Sequence, residues 1–277
     1  MNFKRLLLAA TLTLGTFAAS ATVLTNGLGG AAGFGENALA ANDDGSTAFL
    51  DLSTVFSGGL DFFGTNYTGL YLNNNGNVTF NSSQSTFTPF VMTGATANPI
   101  IAPFFADVDT RGGATTATPG GNSTGSNLAY WDLDTVGGVF TATWDDVGYF
   151  GSHIDLLNGF QLALIDQGNG DFDIEFRYEV LNWTTGDASG GVGGLGGTIA
   201  RSGWSSGNGS DFAEISASGD QADMLNLNNT SNVGVAGLYR FEVRNGVITN
   251  NDIPEPTTLA IFGLALIGLA GRRRFTK

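Results

Sequence analysis

Acidic side chains recur in close pairs along this sequence, and two of the pairs have a spacing that suits metal chemistry. Asp107 and Asp109 follow an apolar run, so on a strand their carboxylates point to the same side as Arg111. Asp43 and Asp44 can add carboxylates from another loop. Two interpretations follow: a calcium site built from these acids, or an aspartate–Arg111 pair that ends the strand. Since no EF-hand-type loop is present, the second is favoured.

Two Gly- and Ser-rich segments have the G-x-S-x-G spacing of serine hydrolases. Ser123 and Ser205 occupy the serine position. The motif requires a strand-to-helix turn and a later histidine, but neither segment precedes a helical pattern and the single histidine, His153, precedes Ser205. The chain has no cysteine, which excludes thiol nucleophiles, disulfides and thiolate metal sites. We therefore expect no enzymatic activity, and we interpret His153 as a solvated loop residue.

Tryptophans beside flexible loops are candidates for contacts with sugars. Trp183 and Trp204 each border a Gly-rich loop, and loops on a rigid scaffold often carry binding residues. Large aromatic side chains more often fill a core. An exposed ligand-binding role for one of these two residues is therefore the less favoured alternative.

The composition indicates the elements that would position these residues. Glycine supplies 42 of the 277 residues and only 13% of the residues are charged. Glycine suits turns better than the interiors of helices and strands, and the residues of long amphipathic helices are scarce. The sequence therefore predicts an all-β fold, a Gly-rich β-sandwich of roughly ten to twelve short strands.

Turn chemistry and periodicity place the main strands. Asn73-Asn74-Asn75-Gly76 lies between two β-prone runs and predicts a hairpin. Further hairpins are expected over 128–147 and 160–183, and the apolar run 99–108 predicts a buried central strand. In the last hairpin, apolar residues alternate with polar ones that are expected to face water, namely Asp173, Glu175, Arg177 and Glu179. Loops are expected over 34–45, 112–127 and 187–197.

The charge distribution limits the class of partner. Of the 25 acidic residues, 24 precede Pro254. Only five basic residues lie between the two termini, and these are Arg111, Arg177, Arg201, Arg240 and Arg244. Such a body repels nucleic acid and anionic membranes. It favours divalent cations or basic partners, and we expect no nucleic-acid partner.

The N-terminus has the three parts of a secretory signal peptide. Lys4 and Arg5 give a positive start, the run 6–19 is apolar, and Ala19 and Ala21 form a small-residue cleavage site. We expect the mature chain to begin at residue 22.

The C-terminus has a different pattern. Pro254-Glu255-Pro256 precedes an apolar run over 259–271 and the basic cluster Arg272-Arg273-Arg274. The run is shorter than the ~20 residues of a stable membrane helix. It therefore predicts a short apolar helix that inserts transiently into the inner membrane, with the arginines on the cytoplasmic side.

These residues resemble the PEP-CTERM sorting signal of Gram-negative bacteria over 254–277. The resemblance implies processing by an exosortase, followed by release or transfer to the cell surface or extracellular matrix. An ordinary short anchor is the alternative.

The body carries a series of motifs in a fixed order. They occur at 42–45, 62–67, 71–80, 101–111, 144–149, 158–162, 183–186, 201–204 and 207–209. In this order they resemble the NIDO domain, the extracellular domain of nidogen-type matrix proteins. The resemblance implies an extracellular β-rich module linked to cell–matrix adhesion. The family often stands among disulfide-rich modules, which are missing from this cysteine-free sequence, so the resemblance implies no named partner.

The sequence thus divides into five parts, which are a signal peptide (1–21), a loose leader (22–30), a NIDO-like β domain (31–245), a spacer (246–253) and a sorting tail (254–277). The expected function is that of a non-catalytic exported surface or matrix protein that mediates cell–matrix adhesion or associates with biofilm exopolysaccharide. Its expected partners are an exosortase-type peptidase and extracellular polysaccharide or matrix and surface proteins. The alternative is a carbohydrate-binding module that retains exopolysaccharide, with or without calcium.

Overall fold

The chain folds into two large antiparallel sheets. The computed structural model describes residues 24–249, and within them it contains fifteen strands, one α-helix and three short 3-10 helices. The first sheet has the order β1 (Asn37–Leu39), β8 (Leu128–Asp134), β9 (Val139–Tyr149), β10 (His153–Gly168), β11 (Asp171–Leu181), β14 (Leu238–Arg244) and β15 (Val247–Ile248). The second has the order β13 (Phe212–Glu214), β12 (Arg201–Ser205), β7 (Ile100–Phe105), β6 (Asn77–Thr79), β5 (Gly69–Asn73) and β2 (Leu50–Asp51). The remaining strands, β3 (Leu60–Phe62) and β4 (Thr65–Tyr67), form a separate hairpin. The predicted all-β class is confirmed.

The first sheet is built around one long meander, β8 to β11. The turn between β10 and β11 is Asn169-Gly170, and both residues have positive φ, at 58° and 88°. Asparagine and glycine tolerate this conformation, which gives a two-residue turn whose twist matches the strands. The predicted hairpins over 128–147 and 160–183 are therefore present.

The second sheet positions the acidic pair at 107–109. All six residues of β7 are buried, and the strand lies between β6 and β12. The predicted buried central strand is confirmed. Its neighbour β6 pairs with β5 through the expected Asn-Gly turn, where Asn73 faces Asn77.

The core lies between the two sheets. The ring of Phe104 on β7 is 5.3 Å from that of Phe160 on β10. The Tyr178 hydroxyl on β11 donates to the Pro103 carbonyl at 2.7 Å and lies 2.9 Å from Ser202 Oγ. Each fully buried phenylalanine contributes about 1.5–3 kcal/mol relative to an exposed one, so these contacts join the sheets into one sandwich.

Several elements depart from the sequence-based expectations. Fifteen strands replace the ten to twelve expected, and β9, β10 and β11 have 11, 16 and 11 residues. A strand, β1, lies in the segment expected to be a loop, and β15 lies in the expected spacer. Helix α1 (Gln221–Leu225) was not anticipated. The strands β1 and β15 and the helix α1 are only two to five residues long, which is too short for a clear periodic pattern. In addition, β1 pairs with β8, which is distant in sequence, whereas β15 forms a short hairpin with β14.

The polar face of β11 is largely covered, contrary to expectation. Glu175 is fully buried, and its carboxylate pairs with Arg177 and Arg240. Arg177 in turn donates to Thr25 Oγ1 at 2.6 Å. The N-terminal segment therefore packs against this face, and its Leu24 is completely buried. The first described part of the predicted loose leader is thus tied to the sheet.

The long loop expected over 112–127 is held by carboxylates of the adjacent strand. Asp145 accepts from the Thr124 backbone at 2.7 Å, and Asp146 accepts from the Thr118 and Gly125 backbones at 3.0 Å each. Both aspartates are fully buried. The loop is therefore irregular but fixed.

The predicted signal peptide, cleavage site, sorting motif and C-terminal apolar helix lie outside the described residues. None of the helices within residues 24–249 has the length and apolar character needed to span a membrane.

Candidate cation-binding site

Three acidic side chains from separate segments meet at one end of β7. Asp43 and Asp44 come from the loop after β1, and Asp107 stands two residues beyond the end of β7. One carboxylate oxygen from each residue lies within 4.8 Å of the corresponding oxygens of the other two. Asp107 is 1% exposed, whereas Asp43 and Asp44 are partly exposed. The cluster therefore has a buried floor and a solvent-facing side.

Two buried amide side chains in the β5–β6 turn bring these segments together. Asn74 Nδ2 donates to the backbone carbonyls of Asp43 and Val108. Asn75 Nδ2 donates to Asp44 Oδ1 at 2.8 Å, while its Oδ1 accepts from the Val108 backbone at 2.9 Å. Each amide thus bonds both acidic segments, which fixes their separation.

The loop after β11 closes the buried side of the cluster. Ser189 Oγ lies 3.4 Å from Asp107 Oδ2. Gly186 approaches Asp107 so closely that a Cβ atom there would lie 2.5 Å from Asp107 Oδ2. Glycine at this position therefore allows the backbone to pack against the carboxylate.

The electrostatics of the cluster disfavour three ionised carboxylates. Burial raises the pKa of Asp107 to about 7, and repulsion from Asp43 and Asp44 adds to the shift. Burial also raises the pKa of Asp43 to about 6, with repulsion from Asp109 and Asp44 added and attraction to Arg111 opposing it. Both shifts arise because nearby negative charges lack sufficient solvation or counter-charge.

Asp109 has a different environment from the other three acids. Arg111 donates to both of its oxygens, at 2.8 and 2.6 Å, and the Ser152 backbone donates at 2.8 Å. Asp109 also caps the 3-10 helix Thr110–Gly112. Burial alone would raise the pKa of Asp109, but the hydrogen bonds from Arg111 and Ser152 together lower it below its usual value. Of the four predicted acids, the structure therefore brings Asp43, Asp44 and Asp107 together and pairs Asp109 with Arg111.

Such a cluster can be neutralised in two ways. The carboxylates can share a proton, or they can bind a cation whose preferred ligands are oxygens. Arg111 also lies 3.0 Å from Asp43 Oδ2. Its guanidinium group therefore neutralises part of the negative charge, but from one side of the cluster only.

A family model describes most of this fold. The nidogen-like domain model matches residues 68–245. The chain belongs to the nidogen-like domain family. The match begins after Asp43 and Asp44, so the nidogen-like match contains one acid of the cluster, Asp107, together with Asn74 and Asn75.

Curated relatives agree with this membership. The chain is 36% identical to alpha-tectorin of Gallus gallus over 214 residues and 38% identical to that of Mus musculus over 217 residues. Each of these alignments covers 73% of this chain and 10% of the relative. It is 31% identical to nidogen of Drosophila melanogaster over 210 residues, which covers 66% of this chain and 14% of the relative. The chain thus spans about a tenth of the length of the curated tectorins it matches, and no solved structure matches it.

A second family model, the PEP-CTERM protein-sorting motif, matches residues 252–274. This motif implies processing by an exosortase. Together with the nidogen-like domain, it identifies an exported protein of the cell surface or extracellular space.

The two candidate ligand-binding tryptophans lie in the core of the nidogen-like domain. Trp183 is fully buried, and its indole N–H donates to the Val147 carbonyl at 3.0 Å. Trp204 is 3% exposed and packs against Phe241 at a ring distance of 4.4 Å. The interpretation that one of these indoles is an exposed binding surface is therefore wrong, because both rings fill the space between the sheets.

The candidate hydrolase residues are held in structural contacts. Ser123 Oγ donates to Glu179, and Ser205 Oγ on β12 donates to the Gly94 carbonyl at 3.2 Å. His153 begins β10 and does not lie in a loop; its Nε2 is 3.1 Å from Asp187 Oδ2. The hydroxyls of Ser123 and Ser205 therefore bond to groups other than His153.

Sequence reasoning found the acids of the cluster but missed the residues that assemble it. Asn74 and Asn75 could have been noticed in the sequence, because a hairpin turn needs only one asparagine and a glycine, and this turn has more asparagines than that. The additional buried amides serve the neighbouring loops. Ser189 and Gly186 have no comparable signal, because a Gly- and Ser-rich loop hides them.

Proposed function

We propose that this chain is a non-catalytic matrix component that mediates cell–matrix adhesion or associates with exopolysaccharide after exosortase processing. The observation that carries the proposal is the combination, in one chain, of a nidogen-like domain and a PEP-CTERM motif. The first supplies an extracellular binding module and the second supplies a route to the surface.

The fold supports a binding role through its loops. The sandwich core is continuous. Buried or partly buried hydrogen bonds fasten the acidic loops to the β5–β6 turn and the segment 113–127 to β9. Pre-ordered loops lose little conformational entropy on binding. The net charge of −14 keeps the surface solvated and favours cationic or cation-bridged partners.

The burial of both candidate tryptophans weakens the carbohydrate-module alternative. Sugar recognition by stacking requires an exposed aromatic face, and neither indole offers one. We therefore favour contacts made by polar loops over stacking on Trp183 or Trp204.

The first test is localisation in the native host, combined with mass spectrometry of the C-terminus. We expect the chain outside the cell, ending near Pro254-Glu255-Pro256. Retention in the inner membrane with Arg272-Arg273-Arg274 intact would contradict the sorting part of the proposal.

The second part of the test concerns adhesion. A deletion strain should retain less matrix on its surface and recover when the full chain is restored. Purified chain should bind washed cells or isolated exopolysaccharide. A strain that keeps wild-type matrix, or purified chain that turns over ester, peptide or glycan substrates, would overturn the proposal.

A further inference from the structure

We propose that Asp43, Asp44 and Asp107 bind one calcium ion, which fastens the loop after β1 to the nidogen-like domain. The inference rests on the geometry of this cluster and does not depend on the adhesion role proposed above. It concerns three carboxylates on two segments that Asn74 and Asn75 join, through hydrogen bonds to the Asp43 carbonyl, the Asp44 side chain and the Val108 backbone.

The first supporting observation is a buried carboxylate oxygen without a partner. Asp107 is 1% exposed, and among residues 24–249 its Oδ1 has no hydrogen-bond partner. The buried Oδ1 of Asp43 also has none. Buried polar atoms are nearly always paired, and an unpaired buried carboxylate oxygen is costly. Two such oxygens in one cluster indicate that a positively charged ligand completes it.

Other buried carboxylates in this chain show how such a group is paired when its hydrogen-bond and charge partners are all present. Glu175 is equally buried but faces Arg177 and Arg240. Asp145 and Asp146 are buried and receive several N–H and O–H donors from the loop. Among residues 24–249, the Asp107 carboxylate has only the long contact with Ser189.

The donors select a hard cation. The cluster offers carboxylate oxygens, with the Ser189 hydroxyl close to Asp107. The chain contains no cysteine, and its one histidine pairs with Asp187. Zinc and copper sites use nitrogen or sulfur ligands, whereas calcium and magnesium use oxygens.

The coordination that calcium accepts suits this cluster better than the coordination that magnesium requires. Ligand oxygens lie about 2.4 Å from calcium, so two oxygens on one ion can be up to about 4.8 Å apart. The three carboxylates lie within this limit. Calcium accepts six to eight ligands in irregular geometry, and water can supply those that the three side chains do not. Magnesium requires metal–oxygen distances of about 2.1 Å and a near-regular octahedral arrangement of its ligands.

The site is accessible without unfolding. The Asp43 side chain is 19% exposed and Asp44 is partly exposed, so an ion can enter from solvent above Asp107. A bound ion would join residues 43–44, which precede the family match, to residue 107 within it. Its expected affinity is that of extracellular calcium modules, about 10⁻⁴–10⁻³ M.

The test uses the purified full chain, stripped with EDTA and then freed of chelator. We expect saturable one-to-one calcium binding by calorimetry. At about 100 times the dissociation constant, calcium should raise the unfolding midpoint by roughly 5–10 °C. Magnesium at the same concentration should produce less than half of this shift.

Asp107→Asn removes one charge with little change of shape. This variant should lose calorimetric binding and the calcium shift, while its midpoint without calcium equals or exceeds that of the wild type, because repulsion is relieved. Asp44→Asn serves as a second variant at a more exposed position and should weaken binding at least tenfold. Asp223→Asn makes the same charge change at an exposed position of α1 and should keep the full calcium response.

Three results would overturn the proposal. One is an unfolding midpoint of the wild type that calcium leaves unchanged at about 10 mM, which is about 10 to 100 times the expected dissociation constant. Another is an equal response to magnesium. The third is a calcium response that survives in both Asp107→Asn and Asp44→Asn, which would leave a shared proton as the way the cluster is neutralised.

Discussion

Buried carboxylates in this protein differ mainly in what neutralises them. Glu175 is balanced by two arginines, and Asp145 and Asp146 are balanced by backbone and hydroxyl donors of one loop. Within residues 24–249, Asp107 Oδ1 has no hydrogen-bond partner, and Oδ2 has the long contact with the Ser189 hydroxyl. All four residues carry a carboxyl group and are at most 1% exposed, so the role of each acid is set by the donors that tertiary structure brings to it.

Asp132 on β8 is a further acid whose charge is poorly compensated. Burial raises its pKa, and repulsion from Glu36 and Asp134 adds to the shift. A raised folded-state pKa means that stability is highest when the group is protonated and falls as pH rises through that pKa. Asp132→Asn should therefore stabilise the protein at about pH 7.5, by less than about 1 kcal/mol because solvent screens a partly exposed charge.

The same reasoning gives the pH dependence of the stability difference between Asp132→Asn and the wild type. At about pH 3, below the usual aspartate pKa of about 3.9, the Asp132 carboxyl is largely protonated in both the folded and the unfolded chain, so the two proteins should have nearly equal stability. Urea unfolding at the two pH values measures the effect. A variant that is less stable than the wild type at pH 7.5 would show that the Asp132 carboxylate makes a favourable contact outweighing the repulsion.

At the scale of elements, the β5–β6 turn both reverses the chain and organises the site. Its amides bond the segments that carry Asp43, Asp44 and Val108. Gly76 completes the turn at a φ of +74°, and a Cβ atom there would lie 1.8 Å from the Phe104 carbonyl oxygen. The turn is therefore pressed against β7, and its conformation is coupled to the strand that leads to Asp107.

Gly76→Ala should disturb the fold and the acidic cluster together. The positive φ alone should destabilise an alanine variant by about 1–2 kcal/mol. The overlap with Phe104 should add roughly 1–3 kcal/mol, as other forced insertions into packed sites do. Gly64→Ala is the matched control, since Gly64 has a φ of +79° and open space around its Cβ position.

Urea unfolding of both variants separates the two contributions. If the inference about calcium is correct, Gly76→Ala should also bind the ion more weakly, whereas Gly64→Ala should bind it normally. Equal destabilisation by the two substitutions would show that the β7 backbone can move away from the new Cβ atom without a cost in free energy. The turn would then not constrain the position of β7.

At the scale of the whole molecule, the features that sequence reveals are those determined locally. The Asn169-Gly170 turn, the buried run of β7 and the alternation along β11 specify hairpins and a sheet wherever they occur. The cover over Glu175 could not be foreseen, because it brings Thr25 and Arg240 from distant segments onto the Glu175–Arg177 pair of β11. The residues of the acidic cluster were identified from the sequence. Which of the four acids pairs with Arg111, and is thereby set apart from the other three, is decided by tertiary structure.

The nidogen-like domain and the sorting motif occupy separate parts of the chain, so their functions should be separable by mutation. Replacing Pro254, Glu255 and Pro256 by alanine should leave the uncut chain in the cell envelope, because the sequence that the exosortase would recognise is lost. Its calcium response should be unchanged, since Asp43, Asp44 and Asp107 lie in the part of the chain that folds as the sandwich. Asp107→Asn should show the reverse pattern, with normal processing and no calcium response.

Cell fractionation with mass spectrometry of the C-terminus measures the first property, and calorimetry of the purified variants measures the second. Normal release of the alanine variant would mean that another part of the chain directs export. Loss of processing in a folded Asp107→Asn protein would mean that the sorting machinery senses the cluster as well as the tail. Only the second result would couple the acidic cluster to the sorting motif, and the separate placement of the cluster and the motif in the sequence gives no reason to expect such coupling.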